Sequence, residues 1–276
     1  MNPTPQDIAG RRRAFRKLHE SGCFVIPNPW DAGSARYLES LGFKALATTS
    51  SGAAWSHGHA DGAAGLDEVL AHFRALVAAT GLPVNADFEA GYANDPAGVA
   101  RNVRAAIDTG VAGISIEDST GNESSPLRDI ADAVARMRAA RAAIDESGGE
   151  TLLIGRAENF FLGRPDLGET IRRLEAYSEA GADVLYAPGI KTPEQIRAVV
   201  AAVAPKPVNL LVGSTSELTM KEIAALGVRR VSVGGALARA AWGGFMRAAQ
   251  TLAQDGRFDG FANAASGAEL NKLFRA

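Results

Sequence analysis

Four near-repeats, SLGFKALATT, DTGVAGISIE, EAGADVLYAP and ALGVRRVSVG, place Gly42, Gly110, Gly181 and Gly227 a few residues ahead of short β-branched runs. Glycine tolerates the left-handed conformation that ends a helix, so each repeat reads as a helix stop feeding a strand. Eight such runs occur: Phe24 to Ile26, Ala45 to Thr48, Val84 to Ala86, Ile114 to Ile116, Leu152 to Ile154, Val184 to Tyr186, Val208 to Val212 and Val231 to Val233. The connectors are amphipathic at helical spacing, as in Leu66, Val69, Leu70, Phe73 and Val77, or Ile196, Val199, Val200 and Val203. Thr192 to Gln195 forms a capping box with Pro at the first helical position, and Asp95-Pro96 opens another helix in the same way. Eight βα units predict an α/β fold, a closed (β/α)8 TIM barrel, in preference to an open doubly wound sheet.

At 276 residues and 46% hydrophobic, the chain suffices for one barrel domain spanning 1–276. After the eighth strand, AAWGGFMRAAQTLAQ reads as the closing helix, and residues 255–276 as a helical tail suited to a neighbouring subunit. The 29 basic and 31 acidic residues give a formal charge of −2, a balance that gathers neither nucleic acid nor anionic lipid. The one basic run, RRRAFRK from Arg11 to Lys17, is expected as the solvated face of a helix. No apolar run of about 18 residues is present and the N-terminus lacks a signal-like core, so a cytoplasmic location is expected. The single cysteine, Cys23, excludes a disulfide within the chain and any multi-thiolate metal site.

The apolar runs end in charge. Asp87 and Glu89 follow one strand in PVNADFEAGY, Glu117 and Asp118 another in AGISIEDS, Arg156 and Glu158 a third in TLLIGRAEN, and Asn209 lies in PVNLLV. Strands of a parallel barrel bury both faces, so charges at their exits stand clear of the core and available for chemistry. Asp87 and Glu89, two residues apart, project to one side with Glu117 beside them. Hard oxygen ligands in small number suit Mg²⁺ with retained waters. The same acids also fit a structural ion-pair network closed by Arg101, Arg104 or Arg156.

The segments NPWDAGSARYLESLGFKALATTSSGAAWSHGHADG, NADFEAGY, ISIED and GRAEN, in this order and spacing, resemble the isocitrate lyase / phosphoenolpyruvate mutase superfamily, in particular its carboxyphosphonoenolpyruvate phosphonomutase-like and oxaloacetate decarboxylase-like members. The resemblance runs from Asn28 to the strand at Val231. It implies a (β/α)8 barrel, usually a tetramer that exchanges a C-terminal helix, with a dimer also open, and it implies Mg²⁺ or Mn²⁺ holding a 2-oxo acid or its enolate. It further implies Asp87 as the direct metal ligand, with Glu89 and Glu117 acting through water. Arg156, Asp61 and Glu117 fall on catalytic positions. Thr49, Ser50 and Ser51 fall on the carboxylate cradle, and Glu158 and Asn209 on further substrate-binding positions.

Departures from the family pattern narrow the reaction. Glu89 replaces an aspartate, and the loop STGNESSPLRD has no cysteine acid of the kind that serves isocitrate-type cleavage. Ala187 stands where the phosphonate enzymes carry a histidine, although Asn122 and Ser124 occupy their loop. The expectation is a Mg²⁺-dependent lyase or decarboxylase of a small 2-oxo or 2-hydroxy dicarboxylate acting through a pyruvate enolate, since a decarboxylation of this type needs no thiol acid. The alternatives are a phosphonate mutase or phosphonopyruvate hydrolase, and a barrel that binds a dicarboxylate without turnover. His57 and His59 near Asp61 are expected to face solvent. Gly213-Ser214-Thr215 and Gly234-Gly235-Ala236 are expected to serve turns and packing in preference to phosphate. Trp30 and Trp55 are expected to wall the cavity.

Overall fold

The computed structural model describes residues 3–275, so residues 1, 2 and 276 of the expected 1–276 unit lie outside the described residues. Its strands are β1 Phe24–Ile26, β2 Leu46–Ala47, β3 Val84–Asp87, β4 Gly113–Glu117, β5 Leu152–Arg156, β6 Val184–Tyr186, β7 Val208–Leu211 and β8 Arg230–Ser232. Its helices are α1 Pro5–Leu18, α2 Ala32–Ser40, α3 Ser50–Ser56, α4 Leu66–Ala79, α5 Pro96–Ile107, α6 Ile130–Glu146, α7 Leu167–Glu179, α8 Pro193–Val203, α9 Met220–Ala225, α10 Ala236–Asp255 and α11 Gly267–Phe274. The strands form one parallel sheet in the order β1-β8-β7-β6-β5-β4-β3-β2. At the remaining seam the Ala47 N–H donates to the Pro27 carbonyl at 3.0 Å, which nearly closes the (β/α)8 barrel.

The repeat glycines do what the sequence requires of them. Gly42, Gly110, Gly181 and Gly227 hold φ between 85° and 102°, a region costly for any residue with a Cβ. Thr192 and Gln195 form the reciprocal capping box of α8, and Asp95 accepts the Gly98 N–H at the start of α5. The helical stripes are buried against the outside of the sheet, with Val69, Leu70, Phe73, Val77, Ile196, Val199 and Val203 in one core cluster. Strands β3, β4 and β5 run one or two residues further than the apolar pattern indicates and take in Asp87, Glu117 and Arg156 themselves.

The basic run lies on α1 with Arg13, Arg16 and Lys17 exposed as expected, but part of it is drawn inward. Phe15 of α1 is fully buried inside the N-terminal end of the barrel, packed with Ile26, Ala45, Ala112, Leu152, Ile154 and Val184. Gly113 makes room for it: a Cβ there would stand 2.7 Å from the Phe15 ring. Burying a ring of this size is worth about 1.5–3 kcal/mol. Arg11 and Arg12 are drawn in with the helix and donate to the carbonyls of Val77, Ile107 and Val111 near helix C-termini, where cations are favoured. The opposite end of the barrel is left for the strand-exit charges.

Beyond β8, α10 buries only Ala238 and exposes Trp242, Phe245 and Met246. The tail then turns through a short 3₁₀ segment, Asp259–Phe261, into α11. Phe274 of α11 rests beside Gly33 of α2 and under the guanidinium of Arg36, whose Cζ is 5.9 Å from the ring centre. In the chain as described, this tail therefore packs on its own α2. No helix among the described residues is long and apolar enough to cross a membrane.

Candidate active site

Three adjacent strands end in the charges of the site. β3 stops at Asp87, β4 at Glu117 and β5 at Arg156, and the register pairs Glu117 with Arg156 and Arg156 with Tyr186. β2 contributes the turn that follows it. Thr48 Oγ1 accepts the Asp87 N–H at 2.8 Å, and the Ser50 N–H donates to Asp87 Oδ2 at 3.1 Å.

Arg156 sits among the acids. Its Nη1 lies 3.2 Å from Asp87 Oδ1 and 3.1 Å from Glu117 Oε2, and its Nε donates to Glu158 Oε1. Its Cζ stands 5.3 Å from the centre of the Tyr186 ring, within cation–π range. Burial is the largest single influence and opposes its charge, but Glu117, Glu158, Tyr186 and Asp87 together outweigh it and hold its pKa well above the ordinary arginine value. It is a fixed cation.

Carboxylates outnumber that cation. The loop between α3 and α4 brings in Asp61, whose pKa is raised by burial and then by the charge of Asp87, with Ser50 opposing. Glu89 is pushed up to about 7 by burial, with Asp87, Glu117 and Asp61 adding to it, although the Tyr92 hydroxyl donates to Glu89 Oε1 at 2.6 Å. Burial raises Glu117 against the pull of Arg156, while Ser119 donates to its Oε1 at 2.5 Å. With Glu158, five carboxylates share one guanidinium, a charge imbalance that a divalent cation on oxygen donors would offset. Among the described residues no three His, Cys, Asp or Glu side chains are disposed to hold a metal between them. A cation here would have to complete its shell with water and ligand oxygens, as Mg²⁺ commonly does.

The DFEAGY turn is strained. Glu89 and Tyr92 have φ of 44° and 51°, left-handed values that cost a residue other than glycine about 1–3 kcal/mol. The turn is held by the Glu117 N–H on the Glu89 carbonyl at 2.9 Å and by Asn102 Nδ2 on the carbonyls of Gly91 and Tyr92. Strain of this size persists only where such surrounding contacts over-determine the backbone.

The other expected residues divide into two groups. Thr49 N-caps α3, its Oγ1 accepting the Gly52 N–H, and it shares a hydrogen bond with Ser51 Oγ at 3.1 Å. Of the expected cradle, the Ser50 amide is engaged by Asp87 and the Thr49 hydroxyl by the cap. Asn209 departs from the expectation of a strand-exit residue. It is the second residue of β7 and fully buried, its Nδ2 on Ser232 Oγ at 3.0 Å and its Oδ1 accepting from Arg230 Nε at 2.8 Å. The apolar run continues past it through Leu210 and Leu211, so the exit lies later than PVN suggests.

Motifs outside the acid cluster take structural places. His57 and His59 each approach Glu68, at 3.8 and 3.5 Å, on the exposed loop. Asn28 Oδ1 accepts the Val233 and Gly234 amides, both at 2.9 Å, so these amides of the eighth loop serve packing. Trp55 packs where a Cβ on Gly235 would stand, and Trp30 where one on Gly52 would. Cys23 precedes β1 at the far end of the barrel, with burial raising its pKa, and Lys191 is exposed.

Several residues of the site escaped sequence reasoning. Tyr92 and Tyr186 hold Glu89 and Arg156, and Arg230 lies in the barrel interior 2% exposed, its pKa lowered to about 10 by burial. The charge inside the strand run RRVSV was the available signal for Arg230. Asp118, Arg173 and Tyr177 form a buried group behind the β4 exit.

Comparison with known proteins follows the same geometry. The family model described as phosphoenolpyruvate phosphomutase matches residues 15–253. A Burkholderia cenocepacia J2315 crystal structure, assigned only as a lyase/mutase, is 49% identical with a TM-score of 0.95, covering 98% of each chain. An uncharacterized Mycobacterium tuberculosis H37Rv protein is 35% identical over 80% of this chain and 81% of its own length. An oxaloacetate decarboxylase of Bradyrhizobium diazoefficiens is 32% identical over 70% of this chain and 68% of its own.

Proposed function

This chain belongs to the phosphoenolpyruvate phosphomutase family of the isocitrate lyase superfamily, and from that premise we propose that it is a cytoplasmic, metal-dependent carbon–carbon lyase or decarboxylase of a small 2-oxo or 2-hydroxy dicarboxylate. The observation that carries this reading is Arg156, bonded to Asp87, Glu117 and Glu158 at the mouth of the barrel with Asp61 and Glu89 close by. Asp87 would hold Mg²⁺ or Mn²⁺ directly, with Glu89 and Glu117 reaching it through water, as a site without three converging side-chain ligands among the described residues requires, and the ion when bound supplies Lewis-acid stabilisation of charge on the substrate's keto oxygen.

The chain's own residues perform the rest. Ser50 and Ser51, with the turn that Thr49 caps, bind and orient the substrate carboxylate. When the bond from C3 to its outer carboxylate breaks, CO₂ leaves and the electron pair moves onto the keto oxygen as an enolate. Arg156, held by Glu158 and Tyr186, presents a fixed positive charge to that oxygen as it becomes negative. Water protonates C3, which gives pyruvate and agrees with a 119–129 loop that has no cysteine. The exposed Trp242, Phe245 and Met246 of α10 support assembly into a homo-oligomer.

The test is pyruvate release from oxaloacetate and related 2-oxo and 2-hydroxy dicarboxylates in Mg²⁺, above an enzyme-free blank, with EDTA and Asp87→Ala abolishing it. Phosphate release from phosphonopyruvate, with no pyruvate from any dicarboxylate, would establish the phosphorus–carbon alternative. Asn122 and Ser124 in the β4 loop are the observation favouring that alternative.

A further inference from the structure

Asp118 follows Glu117, and because successive side chains alternate, it faces away from the mouth that Glu117 lines. It is fully buried. A carboxylate without water needs donors, and three reach it from two other elements. Oδ1 accepts the backbone N–H of Glu158 at 2.8 Å, while Oδ2 accepts the Tyr177 hydroxyl at 2.5 Å and Arg173 Nη1 at 3.0 Å. Arg173 and Tyr177 both belong to α7, and both are at least 95% buried. Arg173 also donates to the Arg128 carbonyl at 2.8 Å, and the Arg128 N–H returns to the Asp118 carbonyl at 2.9 Å.

The position of this group matters because the β4–β5 ladder ends at the Glu117–Arg156 pair. One residue on, the Ala157 N–H goes to Tyr186 on the far side. The Glu158 N–H is then held to β4 by the Asp118 side chain, which extends the pairing past its last rung. The Glu158 carboxylate, on a residue 2% exposed, takes Arg156 Nε. That leaves Nη1 directed at Asp87 and Glu117.

We propose that Asp118, clamped by Tyr177 and Arg173, is a positioning residue that sets the orientation of Arg156 through Glu158. It touches no ligand. Its effect on turnover rests on Arg156 acting as in the proposed function, whereas its effect on the geometry of Arg156 does not. Tyr177→Phe is the informative variant, since it deletes one hydroxyl from the clamp and leaves the ring packed. Val103→Ala, in the buried face of α5, a helix that supplies none of the clamp's donors, serves as the control for loss of stability alone.

The readout is the ¹H–¹⁵N signal of the Arg156 Nε–H, assigned by its disappearance in Arg156→Lys. Tyr177→Phe is expected to move this signal by more than its linewidth, and Val103→Ala to leave it in place. For whichever dicarboxylate is turned over, kcat in Tyr177→Phe falls by roughly tenfold with KM nearly unchanged, because a displaced donor weakens the transition state more than ground-state binding. Asp118→Asn gives the same signature; should it not fold, Tyr177→Phe decides alone. An Arg156 signal unchanged in Tyr177→Phe, or moved equally by Val103→Ala, overturns the proposal. Absence of turnover in the wild-type protein counts against the proposed function and leaves the spectroscopic comparison standing.

Discussion

Replacing Glu89 with Gln is expected to stabilise the metal-free protein at neutral and alkaline pH. Glu89 is held at about 7 against an ordinary value of 4.5, chiefly by burial and then by Asp87, Glu117 and Asp61. Between those two values the folded chain keeps a proton that the unfolded chain has released. Stability therefore falls as pH rises through the window and levels off above about 7. A shift of this size corresponds to about 3 kcal/mol above pH 7.5, reduced in practice because the side chain is only half-buried. Gln carries no charge to desolvate, and its carbonyl oxygen can still accept from the Tyr92 hydroxyl. In urea unfolding with EDTA, Glu89→Gln should exceed wild type by about 2–3 kcal/mol at pH 8 and match it at pH 4.5. Saturating Mg²⁺ should stabilise wild type at pH 8 and narrow the gap, since a bound cation favours the ionised form. A variant less stable than wild type at pH 8 in EDTA would refute the charge-imbalance argument and, with it, the main structural support for a cation in this site.

Arg156→Lys keeps the charge but loses the fork that spans Asp87, Glu117 and Glu158, so turnover should drop by about a hundredfold or more, measured as kcat on the dicarboxylate found by screening. Gly113→Ala would put a methyl 2.6 Å from Asn85 Oδ1 and 2.7 Å from the Phe15 ring, an overpacking expected to cost about 1–3 kcal/mol in urea unfolding. Phe245→Glu, on the exposed face of α10, should shift the protein to a smaller species in light scattering while leaving its circular dichroism unchanged; an unaltered mass would remove α10 from the assembly surface.

The barrel was legible because its signals are local. A helix stop needs a left-handed residue, and Gly42, Gly110, Gly181 and Gly227 supply it four times, three or four residues ahead of a strand. The exits at Asp87, Glu117 and Arg156 were readable for a similar reason, because a charge after a doubly buried strand has few other places to go. One inference failed and a second was incomplete where tertiary contact overrides local pattern. RRRAFRK has the composition of a solvated face, yet the cavity left by Gly113 admits Phe15 and draws the neighbouring arginines onto carbonyls remote in sequence. Asn209 was placed at an exit because polar residues mark exits in the other strands, but here the barrel interior is itself polar. Arg230 supplies a partner for the Asn209 amide, and no one-dimensional pattern pairs a residue in β7 with a charge buried in β8.

Asp118 marks the limit of this kind of inference more sharply. In the ED doublet the two acids are chemically alike, and alternation says only that they face opposite ways. Whether the outward acid meets water or donors depends on what α7 carries at that height, and Arg173 and Tyr177 lie more than fifty residues downstream. Four residues apart on one helix face, they are disposed to grip a single carboxylate, while the ladder's last rung fixes where the Glu158 amide must find its acceptor. The charge of Arg156 is thus announced by the strand that carries it, whereas the proposed control of its orientation lies with a helix whose contribution becomes visible only when the barrel has closed around it.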